Sequence, residues 1–216
     1  MTATINFASK ASGKHRGAYV LGALTLLLVI LMMMDTHTVK ISELEDSGEF
    51  SQQRFGEENF PSIQEYIQAN AISAEELAAE VLEDAGAAGQ AYGVAAGIGH
   101  IVPVTMTGVA EAGQSGIYSL DIEGVPDDIT IRVQTGPVIN GTTLRDATGD
   151  IAFGNFTNQI EYQDAGAALN EEMKRQVLEG ISELDLTGKT LEVVGAFMLL
   201  NPSNWLVTPV QLNVSE

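Results

Sequence analysis

The run from Gly17 to Met34, GAYVLGALTLLLVILMMM, contains no charged side chain, and nothing else in the chain restricts its fold as sharply. As a helix rising about 1.5 Å per residue it spans about 27 Å, close to the roughly 30 Å hydrocarbon core of a bilayer. Its six Leu, one Ile and two Val each favour insertion by about 0.3 to 0.6 kcal/mol, and no Asp, Lys or Arg opposes them. The run therefore predicts a single transmembrane anchor. A cleaved secretory signal is the alternative. The run exceeds the usual apolar core of about 7 to 15 residues, and no A-x-A site precedes Asp35, so an uncleaved anchor is favoured.

The flanks orient the anchor. Lys10, Lys14 and Arg16 precede it, whereas Glu43, Glu45, Asp46 and Glu49 follow it. The positive-inside rule keeps residues 1–16 cytoplasmic, at the inner (cytoplasmic) membrane, and exports the rest. That exported part holds 7 basic against 29 acidic residues. Nucleic acid is excluded as a nonspecific partner, because neutralising phosphates requires Lys and Arg. Anionic lipid headgroups are disfavoured for the same reason. With no cysteine in the sequence, disulfides and thiolate chemistry are absent, and the domain must be held by core packing.

Residues 35–59 are polar and acidic with little periodicity, and are read as a tether. Residues 60–216 then form the folded domain. Pro61 opens a helical stretch with Ile63, Tyr66 and Ile67 on one face. Ser73 and Glu76 have the spacing of a capping box for a second, Ala-rich helix that Gly86 and Gly89 weaken. The stretch around IVPVTMTGV is a strand, with Pro103 expected at an edge or bulge. Residues 117–123 and 129–133 alternate as a hairpin around GVPDD. Short β segments are expected at 137–139 and 151–153. A helix is expected from about Asp164 to Leu178, capped by Asp164 and stopped at Gly180. Strands at 190–200 and 206–214 close the chain. The fold class is α+β: an N-terminal transmembrane helix, then an antiparallel, barrel-like domain with two or three helices, for which the oligonucleotide/oligosaccharide-binding (OB) barrel suits five or six strands.

No nucleophile elbow, P-loop or dinucleotide fingerprint occurs. His15 falls on the cytoplasmic side and His37 in the tether, which leaves His100 as the one usable histidine; a triad or a histidine-rich zinc site is disfavoured, and neither cofactor nor metal is predicted. The segment 136–161 gathers Arg145, Asp146, Asn155, Asn158 and Gln159, with Glu161, among apolar residues. One reading makes Arg145 structural, pairing Asp146 or a backbone carbonyl. The other makes the first five residues a polar pocket for a sugar-like or carboxylate ligand.

The stretches GPVINGTTLRDA, FGNFTNQIEYQDAGAALNE, LTGKTLEVVGAF and LVTPVQL resemble a bacterial family of predicted periplasmic lipoproteins of unknown function. Members of that family are commonly encoded beside ribose-type sugar ABC importers. The resemblance implies an accessory role in sugar uptake, with a sugar or a transporter component as partner. This chain has Met34-Asp35 where relatives carry a lipidated cysteine, so a proteinaceous anchor is expected instead. The leading expectation is a non-enzymatic, membrane-anchored periplasmic accessory protein. The rivals are an exported hydrolase using a pair such as Asp146 and Glu161, and a structural envelope protein.

Overall fold

A computed structural model of the chain describes residues 19, 21–22, 24–27, 50–181 and 185–215. The chain divides into two units, Met1–Glu49 and Phe50–Glu216. Within the first, the residues described are helical. Among the described residues no helix is long and apolar enough to cross a membrane. Much of the expected anchor, and residues 35–49 of the expected tether, lie outside the described residues.

The second unit starts earlier than the sequence suggested. Helix α1 runs Gln52–Asn70, not from Pro61, so the last residues of the supposed tether are helical. Ser51 caps it, its hydroxyl accepting the Arg54 N–H at 3.4 Å. The stripe of Ile63 and Ile67 continues backwards through Phe60 and Gly56, all buried, which is why the helix extends over polar sequence. Pro61 is tolerated inside the helix on its exposed face. Gly56 is required by close packing: a Cβ there would lie 2.7 Å from the carbonyl oxygen of Ala168.

Helix α2 spans Ala74–Tyr92, and Ser73 caps it by accepting the Glu76 N–H at 3.2 Å. Instead of fading at Gly86 and Gly89, it kinks at Asp84 and resumes. The Asp84 carboxylate accepts the N–H groups of Gly86 and Ala87 at 2.9 and 3.0 Å, capping the second segment from within.

Seven strands form one sheet: β1 (Ile72–Ser73), between the two helices, then β2 (Val94–Ala96), β3 (Gly99–Ala110), β4 (Ile117–Asp121), β5 (Thr130–Gln134), β6 (Thr190–Leu199) and β7 (Asn204–Ser215). β3 pairs with β4, β4 with β5, β5 with β7, β7 with β6, and β6 returns to β3. The five longer strands thus close on themselves, abolishing their free edges. β5–β7 and the short β1–β3 contact are parallel, the remaining pairs antiparallel. Pro103 sits opposite Ala196 of β6. On its other side β3 meets β2 over 99–101 and β1 at 104–105, leaving residue 103 in the gap between them. The register shifts at Val194/Gly195, where a side chain on Gly195 would lie 2.5 Å from the Thr208 carbonyl oxygen. Inside the barrel Phe197 and Trp205, both fully buried, stack with ring centroids 4.6 Å apart.

Between β5 and β6 the expected β segments at 137–139 and 151–153 are absent. The positive φ of Gly136, Gly141 and Gly149 breaks up any extended run through this segment. The space is taken by a single turn of helix, α3 (Thr143–Asp146), and a 3-10 turn at Phe153–Asn155. Helix α4 then spans Gln159–Val177. Its cap is Asn158, not Asp164. The Asn158 side chain accepts the Ile160 and Glu161 N–H groups, and the Glu161 carboxylate reaches back to the Thr157 N–H at 2.9 Å. This is the logic of the capping box, with the same three-residue offset that marked α2.

Candidate functional site

Arg145 and Asp146 stand at the end of α3, where the loop from β5 turns towards α4. The Thr142 carbonyl accepts the Asp146 N–H at 3.0 Å, and the Thr142 hydroxyl donates to Asp146 Oδ2 at 2.7 Å. The Arg145 guanidinium grips the same carboxylate, Nε–H on Oδ1 at 2.8 Å and Nη2–H on Oδ2 at 3.1 Å. Nη1–H donates to the Tyr162 carbonyl at 3.1 Å, and the guanidinium carbon lies 3.7 Å from the centre of the Tyr162 ring. The side chains of Phe153 and Phe156 pack around that ring, and Phe156 continues the cluster to Phe50 and Phe55. Arg145 is 8% exposed. It is both a structural clamp, as the first sequence reading held, and a wall of an open cleft.

That cleft, of about 660 Å³, is lined by Arg145, Asp146 and Tyr162 on one side and by Ile98, Ile151, Met198 and Leu200 among apolar residues. A smaller cleft of about 420 Å³ shares Met198 and Leu200 with it, so the two are neighbours at the end of β6. Arg132 on β5, Asn140, Thr142, Thr143, Asn201 and Asn204 supply its polar lining. Gln134 at its floor is fully occupied: its amide donates to the Asn140 carbonyl and the Thr208 hydroxyl and accepts the Asn140 N–H. Asn170 on α4 anchors the intervening loop through the Gly141 carbonyl at 3.0 Å.

The five residues singled out in the sequence separate. Arg145 and Asp146 meet at the larger cleft. Asn155, Asn158 and Gln159 are exposed and line neither cleft. Asn155 accepts the Ala152 N–H, Asn158 caps α4, and Gln159 is the first residue of that helix. Glu161 is likewise turned to the helix start, its two oxygens taken by Thr157 N–H and the Asn158 amide. Arg132, Asn140 and Asn201 escaped notice because they sit on three separated segments that only barrel closure brings together.

The family model for "Predicted periplasmic lipoprotein (DUF2291)" matches residues 25–213. The chain belongs to this family. The DUF2291 description gives periplasmic location at family level, while the function of the family is unknown. The sequence contains no cysteine that could carry the lipid the description implies. No protein with a curated description matches this DUF2291 chain. A crystal structure of an OB-fold protein from Thermotoga maritima is similar at a TM-score of 0.61, with 18% identity, over 77% of this chain and 99% of that one. The closed order β3-β4-β5-β7-β6 is therefore an OB-type barrel, as the strand count suggested.

Proposed function

We propose that this protein is a non-enzymatic accessory component of a sugar ABC transport system. Residues 17–34 hold it at the outer face of the inner membrane, and the cleft beside Arg145 binds a carbohydrate or a component of the transporter. The observation that carries the binding role is the fixed guanidinium. Of the five N–H donors of an arginine, three are spent on Asp146 and Tyr162, which leaves two for a ligand. A donor already locked in place loses little side-chain freedom when it orients a hydroxyl. The apolar wall opposite suits the less polar face of a sugar ring.

Ile98, 93% exposed at the rim, favours a protein partner as the occupant of the same cleft. Hydrolysis by Asp146 and Glu161 is the weaker reading. Asp146 already accepts from Arg145 and Thr142, and Glu161 serves the α4 cap, so neither carboxylate is free to attack or to relay a proton.

Thermal melts of the full chain in a polyoxyethylene detergent, against a panel of pentoses and hexoses, test the carbohydrate reading. A sugar at a hundredfold excess over its Kd should raise the Tm by about 5 to 10 °C and be recovered intact. Consumption of the sugar would establish the hydrolase instead, and no shift with any sugar would remove the carbohydrate from the account. Carbonate extraction of membranes tests the anchor: the full chain should stay with the pellet, and a chain begun at residue 35 should not.

A further inference from the structure

The smaller cleft contains a cation that the chain itself does not neutralise. Among the described residues the Arg132 side chain makes one hydrogen bond, Nη2–H to the neutral side-chain oxygen of Asn204 at 2.7 Å. Its Nε–H is buried and has no acceptor. Leaving such a donor unpaired is costly, and polar groups of this kind in folded proteins are almost always satisfied. Among the described residues, Arg132 forms no ion pair, and no Asp or Glu lines the cleft. That is unexpected in a unit with 6 basic and 24 acidic residues between positions 50 and 216, where a carboxylate partner is easily supplied. Around the guanidinium, the Thr143 hydroxyl and the Asn140 side-chain amide have no hydrogen-bond partner among the described residues, and Asn201 uses only its oxygen, on the Ser203 N–H. The cleft thus offers one unpaired guanidinium edge ringed by neutral donors and acceptors.

We propose that this cleft binds the oxyanion of an acidic sugar, a uronate carboxylate or a sugar phosphate, on Arg132. Asn140, Thr143 and Asn201 meet the ring hydroxyls. Carboxylates and phosphates both match the flat, forked geometry of a guanidinium, and the Nη hydrogens that Asn204 does not use supply a two-point grip. Because the two clefts adjoin at Met198 and Leu200, a ligand held here by its acid group could extend towards Arg145. This deepens the carbohydrate reading above and rests on it.

Calorimetric titration of the full chain in polyoxyethylene detergent, in buffer free of phosphate, tests it. Glucuronate and ribose 5-phosphate are compared with glucose and ribose, and with inorganic phosphate alone, for the native chain, Arg132→Gln and Arg132→Lys. At least one acidic sugar should bind tenfold or more tightly than its neutral counterpart, and which of the two does so identifies the carboxylate or the phosphate as the source. Arg132→Gln should erase that advantage with the Tm unchanged, and Arg132→Lys should restore part of it. Equal affinity for acidic and neutral sugars in the native chain would overturn the inference and leave the carbohydrate reading standing. So would an acidic preference that survives Arg132→Gln. Binding of inorganic phosphate without any sugar, or of nothing at all, would overturn both.

Discussion

Arg145 and Arg132 line neighbouring clefts in the same acidic unit, and their circumstances are opposite. Arg145 is nearly buried, shares two hydrogen bonds with Asp146, donates to the Tyr162 carbonyl and lies over its ring. Arg132 is partly exposed, has one neutral partner and keeps a buried N–H with none. The difference separates two uses of the same residue type. A cation whose carboxylate is adjacent in sequence is answered before any ligand arrives, and its main effect is to hold the loop between β5 and α4 in place. A cation on a strand, with no carboxylate among the residues lining its cleft, keeps its charge for something outside the chain. Arg175 is a third case. It is a mostly exposed cation, 61% accessible in its side chain, serving a Glu172 carboxylate that is 7% accessible.

The contrast can be broken most forcefully at Asp146. Asp146→Ala strips the partner from a buried guanidinium and should lower unfolding free energy by about 3 kcal/mol in urea. If the loss is the stranded charge, the double variant Arg145→Met/Asp146→Leu should recover most of it, to within about 1 kcal/mol of the native chain. At Arg175 the effect should appear in acid. The hydrogen bond from Arg175 is the main cause holding the Glu172 carboxyl below its usual value, against burial, which raises it. A depressed folded value contributes stability that is fully present above the unfolded value and is lost as pH falls through the folded one. Arg175→Ala should therefore move the acid-unfolding midpoint, followed by ellipticity, to higher pH. The smallest change belongs to Arg132. Arg132→Gln should alter unfolding free energy by no more than about 0.5 kcal/mol, because the lost Asn204 bond is offset by removal of an unsatisfied N–H.

Much of the barrel was legible in the sequence because its strands carry local signals. The β4–β5 hairpin is written in alternation around a Gly-Pro turn, and β6 as an apolar run. Helix starts were legible only where the cap was sought. Ser73 with Glu76 reads as a cap in the sequence, whereas Asn158, with the same offset to Glu161, reads there as a pocket residue. Ser51 was hidden in acidic sequence, and the stripe that makes α1 a helix depends on Gly56, whose packing against α4 no local pattern reveals. The supposed strands at 137–139 and 151–153 failed because glycines at positive φ set the backbone there. At the site, Arg145 and Asp146 stand out in the sequence as polar residues among apolar ones, and being adjacent they satisfy each other. Arg132 falls on a polar position of the alternating segment 129–133, which carries no signal of a site. Its unpaired state depends on what β7 and the loop before it bring alongside, and that arises from closure of the barrel.

The central claim is that Arg132 keeps its charge for a ligand, whereas the charge of Arg145 is answered by Asp146 and its Nε–H stays on that carboxylate. Arginine side-chain resonances report on it directly. In a 1H–15N spectrum of the Nε–H groups of the full chain in detergent, titration with glucuronate or ribose 5-phosphate should move the Arg132 signal and leave that of Arg145 in place. Movement of Arg145 with Arg132 unchanged, or of neither at saturating ligand, would contradict it.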